Sequence, residues 1–133
     1  MAPRPRVLVV EDDAALRKVL ELRLGLEGFD VSTAQDGQAG LDALHDVQPD
    51  AVVCDLMMPR VDGFGFCRTA RHREDSRDLP LVVLTARQKD SEIERLLELG
   101  DIIFMNKPFD APQLTSTLRE LTASKVAARA RTA

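Results

Sequence analysis

Five side chains in this sequence combine residue types that can bind a divalent cation and transfer a phosphoryl group. Two acids, Glu11 and Asp12, follow the apolar run VLVV, and a third acid, Asp55, follows AVVC. A hydroxyl, Thr85, and an amine, Lys107, stand after two later apolar runs. Carboxylate oxygens suit Mg²⁺, and a carboxylate can attack phosphorus to give an aspartyl phosphate. The hydroxyl and the ammonium would then stabilise charge on the phosphoryl oxygens.

These side chains must be positioned by the apolar runs that precede them. The β-type runs are Val7–Val10, Val31–Ala34, Ala51–Cys54, Leu81–Leu84 and Ile102–Met105. Their starts lie 20 to 30 residues apart, which leaves room for a helix between parallel strands. The first, third and fourth runs are apolar throughout, as expected for parallel strands covered on both faces.

Apolar residues at helical spacing predict a helix between each two successive β-type runs and a fifth helix after the last run. The predicted helices cover residues 16–24, 39–44, 64–71, 92–99 and 111–121. The apolar face of the first consists of Leu16, Val19, Leu20 and Leu24. Strict alternation of strands and helices predicts a doubly wound α/β sheet, in which ligands bind beyond the carboxyl ends of the strands. The acids, the hydroxyl and the amine should therefore meet at one rim.

With these residues in register, the chain resembles the receiver domain of bacterial two-component response regulators, from residue 6 to about residue 123. The matching segments are VLVVEDD (7–13), VVCDLMMPRVDGF (52–64), LVVLTA (81–86) and MNKPF (105–109). The spacing of the family is also kept, with 43 residues from Asp12 to Asp55, 30 more to Thr85 and 22 more to Lys107. The resemblance implies a flavodoxin-like, doubly wound sheet of five parallel strands in the order 2-1-3-4-5, with five surrounding helices.

The resemblance also implies a role for each acid. Asp55 would be the phosphoacceptor, Asp12 the direct Mg²⁺ ligand and Glu11 the companion acid that acts through water. Met57 would offer its backbone carbonyl to the metal. Asp13 falls one place beyond the acidic pair and is expected to cap the first helix.

The remaining implied roles concern the switch. Thr85 and Lys107 would bind the phosphoryl group, and Phe104 would be the switch aromatic. The domain would be regulatory rather than an enzyme, although it would promote its own phosphotransfer and dephosphorylation. Its partner would be a sensor histidine kinase or a phosphotransfer protein. Helix 4, strand 5 and helix 5 would form the face for a homodimer or an effector.

The chain departs from the winged-helix DNA-binding subclass of this family on that same face. Ile102 and Ile103 occupy a pair of positions that are usually acidic, and Thr117 stands where that subclass has an arginine, although Arg119 remains. These departures weaken the prediction of the subclass's salt-bridged dimer. Two apolar residues at these positions imply either local burial or an exposed partner surface.

Two other functions fit the residues less well. A Mg²⁺-dependent phosphohydrolase with an aspartyl nucleophile needs a second acid two residues after Asp55, where this chain has Met57. A flavodoxin-type FMN carrier needs a phosphate loop in the first βα turn. The acids found there would repel phosphate, and the chain has no Trp or Tyr to stack on a flavin.

Composition limits the class of protein. A chain of 133 residues with 44% hydrophobic residues supports one domain, predicted as residues 1–123. Residues 124–133 would be a tail: a frayed extension of the last helix, a linker or a cut end. A net charge of −4 argues against nucleic-acid binding. No apolar run is long enough to span a membrane or to act as a signal peptide. Cys54 and Cys67 lie in apolar segments, which predicts buried reduced thiols and a cytoplasmic location.

Overall fold

The structure, a computed structural model, describes residues 3–56, 63–86, 91–100 and 102–132. Over these ranges strands and helices alternate. The strands are β1 (Arg6–Val10), β2 (Asp30–Ala34), β3 (Ala51–Asp55), β4 (Leu81–Thr85) and β5 (Ile102–Asn106). The helices are α1 (Ala14–Leu26), α2 (Gly37–Val47), α3 (Gly63–His72), α4 (Ser91–Leu97) and α5 (Ala111–Thr132). The strands pair in parallel in the order β2-β1-β3-β4-β5, so the predicted fold class is confirmed.

The sheet separates two apolar cores because successive side chains of a strand point to opposite faces. One core lies under α2, α3 and α4 and includes Val10, Cys54 and Val83. The other lies under α1 and α5 and includes Val9 and Val53. The central strands β3 and β4 are buried at every position, which explains why their sequences are apolar without alternation.

Helix α1 begins at Ala14, two residues before the apolar pattern that predicted it, because Asp13 caps it as expected. The Oδ1 atom of Asp13 accepts hydrogen bonds from the backbone amides of Ala15 at 2.9 Å and Leu16 at 3.1 Å. The prediction that Val19 faces the core is wrong, since this side chain is 54% exposed. At 3.6 residues per turn, Val19 lies roughly 100° from the centre of the buried stripe on α1, so it reaches solvent.

Helix α5 continues well past the apolar pattern that predicted it. Residues 124–132 are helical, so of the alternatives that the sequence left open for this segment the structure gives the extension of the last helix. Near the end of the helix, the Arg129 guanidinium forms an ion pair with Asp50 and donates to the carbonyl oxygen of Arg4 at 2.8 Å. Asp50 is buried and also accepts from the amide of Arg6 at 2.8 Å. These contacts hold the end of α5 against the amino ends of β1 and β3, opposite the carboxyl ends where the site is predicted.

The two isoleucines of β5 are core residues rather than an exposed patch. Ile102 is 7% exposed and belongs to the core under α2, α3 and α4. Ile103 is half-buried and packs against the core under α1 and α5. Of the two outcomes that the sequence allowed, the structure therefore gives local burial.

Two expectations from composition have a structural counterpart. Cys54 and Cys67 are both free and fully buried, as predicted. In the part of the chain that the structure describes, no helix combines the length and the hydropathy needed to cross a bilayer.

Candidate functional site

The predicted site residues meet at the carboxyl ends of the strands. Glu11 follows β1, Asp55 ends β3, and these two strands are neighbours in the sheet. Glu11, Asp12 and Asp55 each bring one carboxylate oxygen to a position where all three oxygens lie within 4.8 Å of one another. The structure therefore brings together three acids that the sequence separates by up to 44 positions.

Lys107 places its ammonium between two of these acids. Its Nζ atom lies 3.2 Å from Oδ2 of Asp55 and 3.4 Å from Oε1 of Glu11. Its backbone amide donates to the carbonyl oxygen of Thr85 at 2.9 Å, which ties the segment after β5 to the end of β4. Burial alone would lower the pKa of Lys107, but the charges of Asp55 and Glu11 outweigh it and raise that pKa. The amine is therefore held in its charged form at the rim.

Glu11 is the most enclosed acid of the group, with 2% of its surface exposed. Burial raises its pKa from 4.5 to about 7, and the negative charge of Asp55 adds to this increase. A hydrogen bond from the Asp13 amide to Oε2, at 3.2 Å, and the charge of Lys107 act in the opposite direction without cancelling it. Burial and the neighbouring Asp55 carboxylate thus disfavour the charged form of Glu11.

This donor set fits a hard divalent cation. The three acids offer only oxygen atoms, the ligands that Mg²⁺ prefers. A bound cation would also favour the charged form of Glu11, which burial and the charge of Asp55 disfavour. The implied ligand Met57 lies outside the described residues, so its carbonyl stays a prediction.

The two predicted switch residues occupy neighbouring strands. Thr85 ends β4 and is 2% exposed. Phe104 lies on β5, paired with Val83 of β4, and its half-buried ring packs against the core under α2, α3 and α4. The two residues are thus connected through adjacent strands, and their roles in a switch stay predictions.

Sequence reasoning missed Arg17, whose side chain contacts the turn that carries two of the acids. Its Nη1 atom donates to the carbonyl oxygen of Glu11 at 2.9 Å. The helical spacing offered a weak signal, because a residue four places after the cap Asp13 lies one turn along α1 and beside the preceding loop. Arginines at such positions are usually solvated, so the pattern alone did not single it out.

Without metal, the stability of the protein should fall as pH rises from about 4.5 to 7. In this window the folded protein keeps a proton on Glu11 that the unfolded chain has lost, so folding becomes less favourable as pH increases. The loss should reach at most about 3 kcal/mol. Urea unfolding in EDTA at pH 5 and pH 8 measures it. Glu11→Gln cannot titrate and should flatten the pH dependence; parallel curves for the two proteins would contradict the assignment.

Comparison with protein families gives a match over most of the chain. The family described as "Response regulator receiver domain" matches residues 7–119. The response regulator MprA of Mycolicibacterium vanbaalenii is 45% identical over 116 residues, which is 87% of this chain and 49% of that protein. The probable transcriptional regulator ycf27 of Guillardia theta is 40% identical over 87% of this chain and 44% of its own length. The chain thus spans about half the length of the curated relatives that it matches.

Solved structures with the same fold include other receivers. The chemotaxis protein CheY4 of Vibrio cholerae superposes with a TM-score of 0.82 at 26% identity, over 90% of this chain and 99% of that one. The receiver domain of the sensor histidine kinase PA1611 of Pseudomonas aeruginosa has a TM-score of 0.81 at 27% identity, over 91% and 99% of the two chains. That structure holds a magnesium ion coordinated in its active-site cleft.

Proposed function

The chain belongs to the response regulator receiver domain family, and on this basis we propose that it is a signalling switch activated by phosphorylation of Asp55. The phosphoryl group would come from a phosphohistidine of a sensor histidine kinase or phosphotransfer protein, in a Mg²⁺-dependent reaction. The observation that carries the proposal is the ammonium of Lys107, 3.2 Å from the Asp55 carboxylate and next to two further acids.

The residues of the site divide the chemistry between them. One carboxylate oxygen of Asp55 forms a bond to phosphorus while the bond from phosphorus to the donor's histidine nitrogen breaks. The ammonium of Lys107 stands beside that carboxylate and compensates charge that the incoming phosphoryl oxygens bring. Thr85 is the last residue of the adjacent strand β4, and its hydroxyl would donate a hydrogen bond to the transferred group.

Asp12, Glu11 and Asp55 would hold the Mg²⁺ ion, with the Met57 carbonyl as a further ligand. When bound, the ion would neutralise charge on the phosphoryl oxygens as they approach three acids. The magnesium ion coordinated in the active-site cleft of the PA1611 receiver, a protein of the same fold, supports this proposal. We do not favour the phosphohydrolase alternative, because the family is regulatory and Met57 stands where a second acid would be needed.

Several wider features belong to the proposal. Residues 1–123 would be the receiver, acting in the cytoplasm, where a kinase can reach Asp55. The domain would promote its own phosphotransfer and dephosphorylation. A homodimer or an effector would bind the face formed by α4, β5 and α5. Since the curated relatives are about twice as long as this chain, the output of the whole protein is not assigned.

Phosphotransfer from a small donor tests the function directly. The wild-type chain incubated with acetyl phosphate and Mg²⁺ should give a slower band on a Phos-tag gel, and peptide mass spectrometry should locate the adduct at Asp55. EDTA in place of Mg²⁺ should abolish the band. A chain that stays unmodified, or that is modified equally well in EDTA, would contradict the proposal.

The Thr85 hydroxyl should transmit phosphorylation to the face of α4, β5 and α5. Bonding of this hydroxyl to the phosphoryl group should draw the end of β4 inward and leave room for the Phe104 ring. Thr85→Ala should therefore still accept phosphate but lose the NMR shift changes on that face, whereas Thr85→Ser should keep them. Shift changes in Thr85→Ala as large as those of the wild type would refute this path.

A further inference from the structure

The turn between β1 and α1 carries two of the acids of the site, and one arginine of α1 donates hydrogen bonds to its backbone. The Nη1 atom of Arg17 donates to the carbonyl oxygen of Glu11 at 2.9 Å and lies 3.5 Å from that of Asp12. Glu11 and Asp12 are the two consecutive residues whose carboxylates join Asp55 in the acidic cluster. A single side chain thus contacts the backbone of both acids.

Two other described hydrogen bonds of this turn involve atoms that Arg17 does not contact. The amide of Glu11 donates to the carbonyl oxygen of Ala34 at 3.0 Å, and the carboxylate of Glu11 accepts from the Asp13 amide. Neither bond restrains the peptide plane between Glu11 and Asp12 from its carbonyl side. Asp12 is exposed, so packing does little to orient its carboxylate. The backbone that Arg17 contacts therefore helps to set the direction of that carboxylate, together with its hydrogen bond to the Glu11 side chain.

We propose that Arg17 is a positioning residue that orients the Glu11–Asp12 turn for Mg²⁺ binding. The inference rests on the proposed function, because it assumes that the acidic cluster holds Mg²⁺. Arg17 would not touch the ion or the phosphoryl group. It would keep the ligand-bearing backbone in the geometry that binding requires, as outer partners of metal ligands commonly do.

The charge of Arg17 and its hydrogen bonds should affect Mg²⁺ binding in opposite directions. The direction in which the Kd changes therefore tells the two effects apart. Removal of a cation near the acids would strengthen Mg²⁺ binding by electrostatics, whereas loss of the carbonyl hydrogen bonds would weaken it. The charge effect should be small, because Arg17 is only partly buried and solvent screens it. Weaker binding after removal of the guanidinium therefore indicates orientation rather than charge.

The matched control is the neighbouring residue Lys18. It lies on the same helix and carries the same charge, but its side chain is 66% exposed and pairs only with Glu21, at 3.1 Å, among the contacts described. Arg17→Met keeps the aliphatic stem and removes the donors and the charge, and Lys18→Met makes the equivalent change away from the turn. Arg17→Lys keeps the charge and one donor group.

The experiment is a Mg²⁺ titration followed by the backbone amide NMR signals of the full chain. Arg17→Met should raise the Kd for Mg²⁺ by about tenfold. Arg17→Lys should give an intermediate value, and Lys18→Met should match the wild type. With acetyl phosphate, Arg17→Met should need more Mg²⁺ for half-maximal phosphorylation but reach nearly the wild-type rate at saturation. A role in folding alone would not raise the Mg²⁺ concentration needed for half-maximal phosphorylation while the rate at saturation stays the same.

Each outcome decides the proposal. An unchanged or lower Kd in folded Arg17→Met would overturn it, and an equal increase in Lys18→Met would also overturn it, because Lys18 does not contact the turn. If Arg17→Met fails to fold, Arg17→Lys carries the test, and a wild-type Kd in that variant overturns the need for the guanidinium. Failure of the wild-type chain itself to bind Mg²⁺ would instead contradict the metal site of the proposed function, and the positioning role with it.

Discussion

Asp55→Asn should abolish retention of a phosphoryl group while the protein stays folded. The amide keeps nearly the same shape at the end of β3 but has no anionic oxygen to form a bond with phosphorus. On Phos-tag gels after treatment with acetyl phosphate and Mg²⁺, the variant should give no shifted band. Asp46→Asn, which makes the same change at an exposed position of α2, should behave as the wild type. Phosphate retained by Asp55→Asn would contradict the proposal that Asp55 is the phosphoacceptor.

The same variant should be more stable than the wild type in EDTA. Three carboxylates within 4.8 Å face one ammonium, so removal of one acid reduces the excess negative charge. Two like charges about 4 Å apart repel by roughly 1 to 4 kcal/mol, depending on the effective dielectric constant. The arrangement of acids that the proposed phosphotransfer requires would thus lower the stability of the protein in EDTA. Mg²⁺ should stabilise the wild type by binding to its folded state, and the variant should gain less because it has lost a ligand.

Urea unfolding of both proteins, in EDTA and in millimolar Mg²⁺, provides the four free energies that this comparison needs. Asp46→Asn again serves as the control for a change of net charge. If Asp55→Asn is no more stable than the wild type in EDTA, or gains as much from Mg²⁺, then these carboxylates do not form one metal pocket.

The second large effect is expected at Gly63, the first residue of α3. A Cβ atom there would overlap the carbonyl oxygen of Asp55 and the Cα atom of Leu56, which are backbone atoms that cannot move aside cheaply. The amide of Gly63 also donates to the carbonyl oxygen of Leu56 at 3.0 Å. The close approach of α3 to the end of β3 therefore requires glycine. Gly63→Ala should destabilise the protein by about 3 kcal/mol or more.

Gly25→Ala is the matched control, because nothing lies within 4 Å of a Cβ at that position of α1. This substitution should stabilise the protein by about 0.5 to 1 kcal/mol through helix propensity. Urea unfolding in EDTA measures both variants. A Gly63→Ala protein as stable as the wild type would mean that α3 does not approach the end of β3 so closely.

The sequence by itself predicted the strands and helices and the convergence of the acids at one end of the sheet. Apolar β-type runs with room for a helix between them predicted all five strands to within one residue at each end. Because parallel strands end at one edge of their sheet, the residues that follow them had to converge, as Glu11 and Asp55 do. Asp13 was assigned correctly as a cap because capping depends on neighbouring backbone amides.

Only the tertiary structure decided the contacts between distant segments. The ammonium of Lys107 meets Glu11 across 96 positions, and the raised pKa of Glu11 depends on burial that no local pattern records. The last turns of α5 lack an apolar stripe, yet Arg129 holds them through Asp50, 79 positions away. Periodicity describes how a segment faces its immediate surroundings. The partner of a polar side chain is known only once the packing of helices and strands has brought the two together.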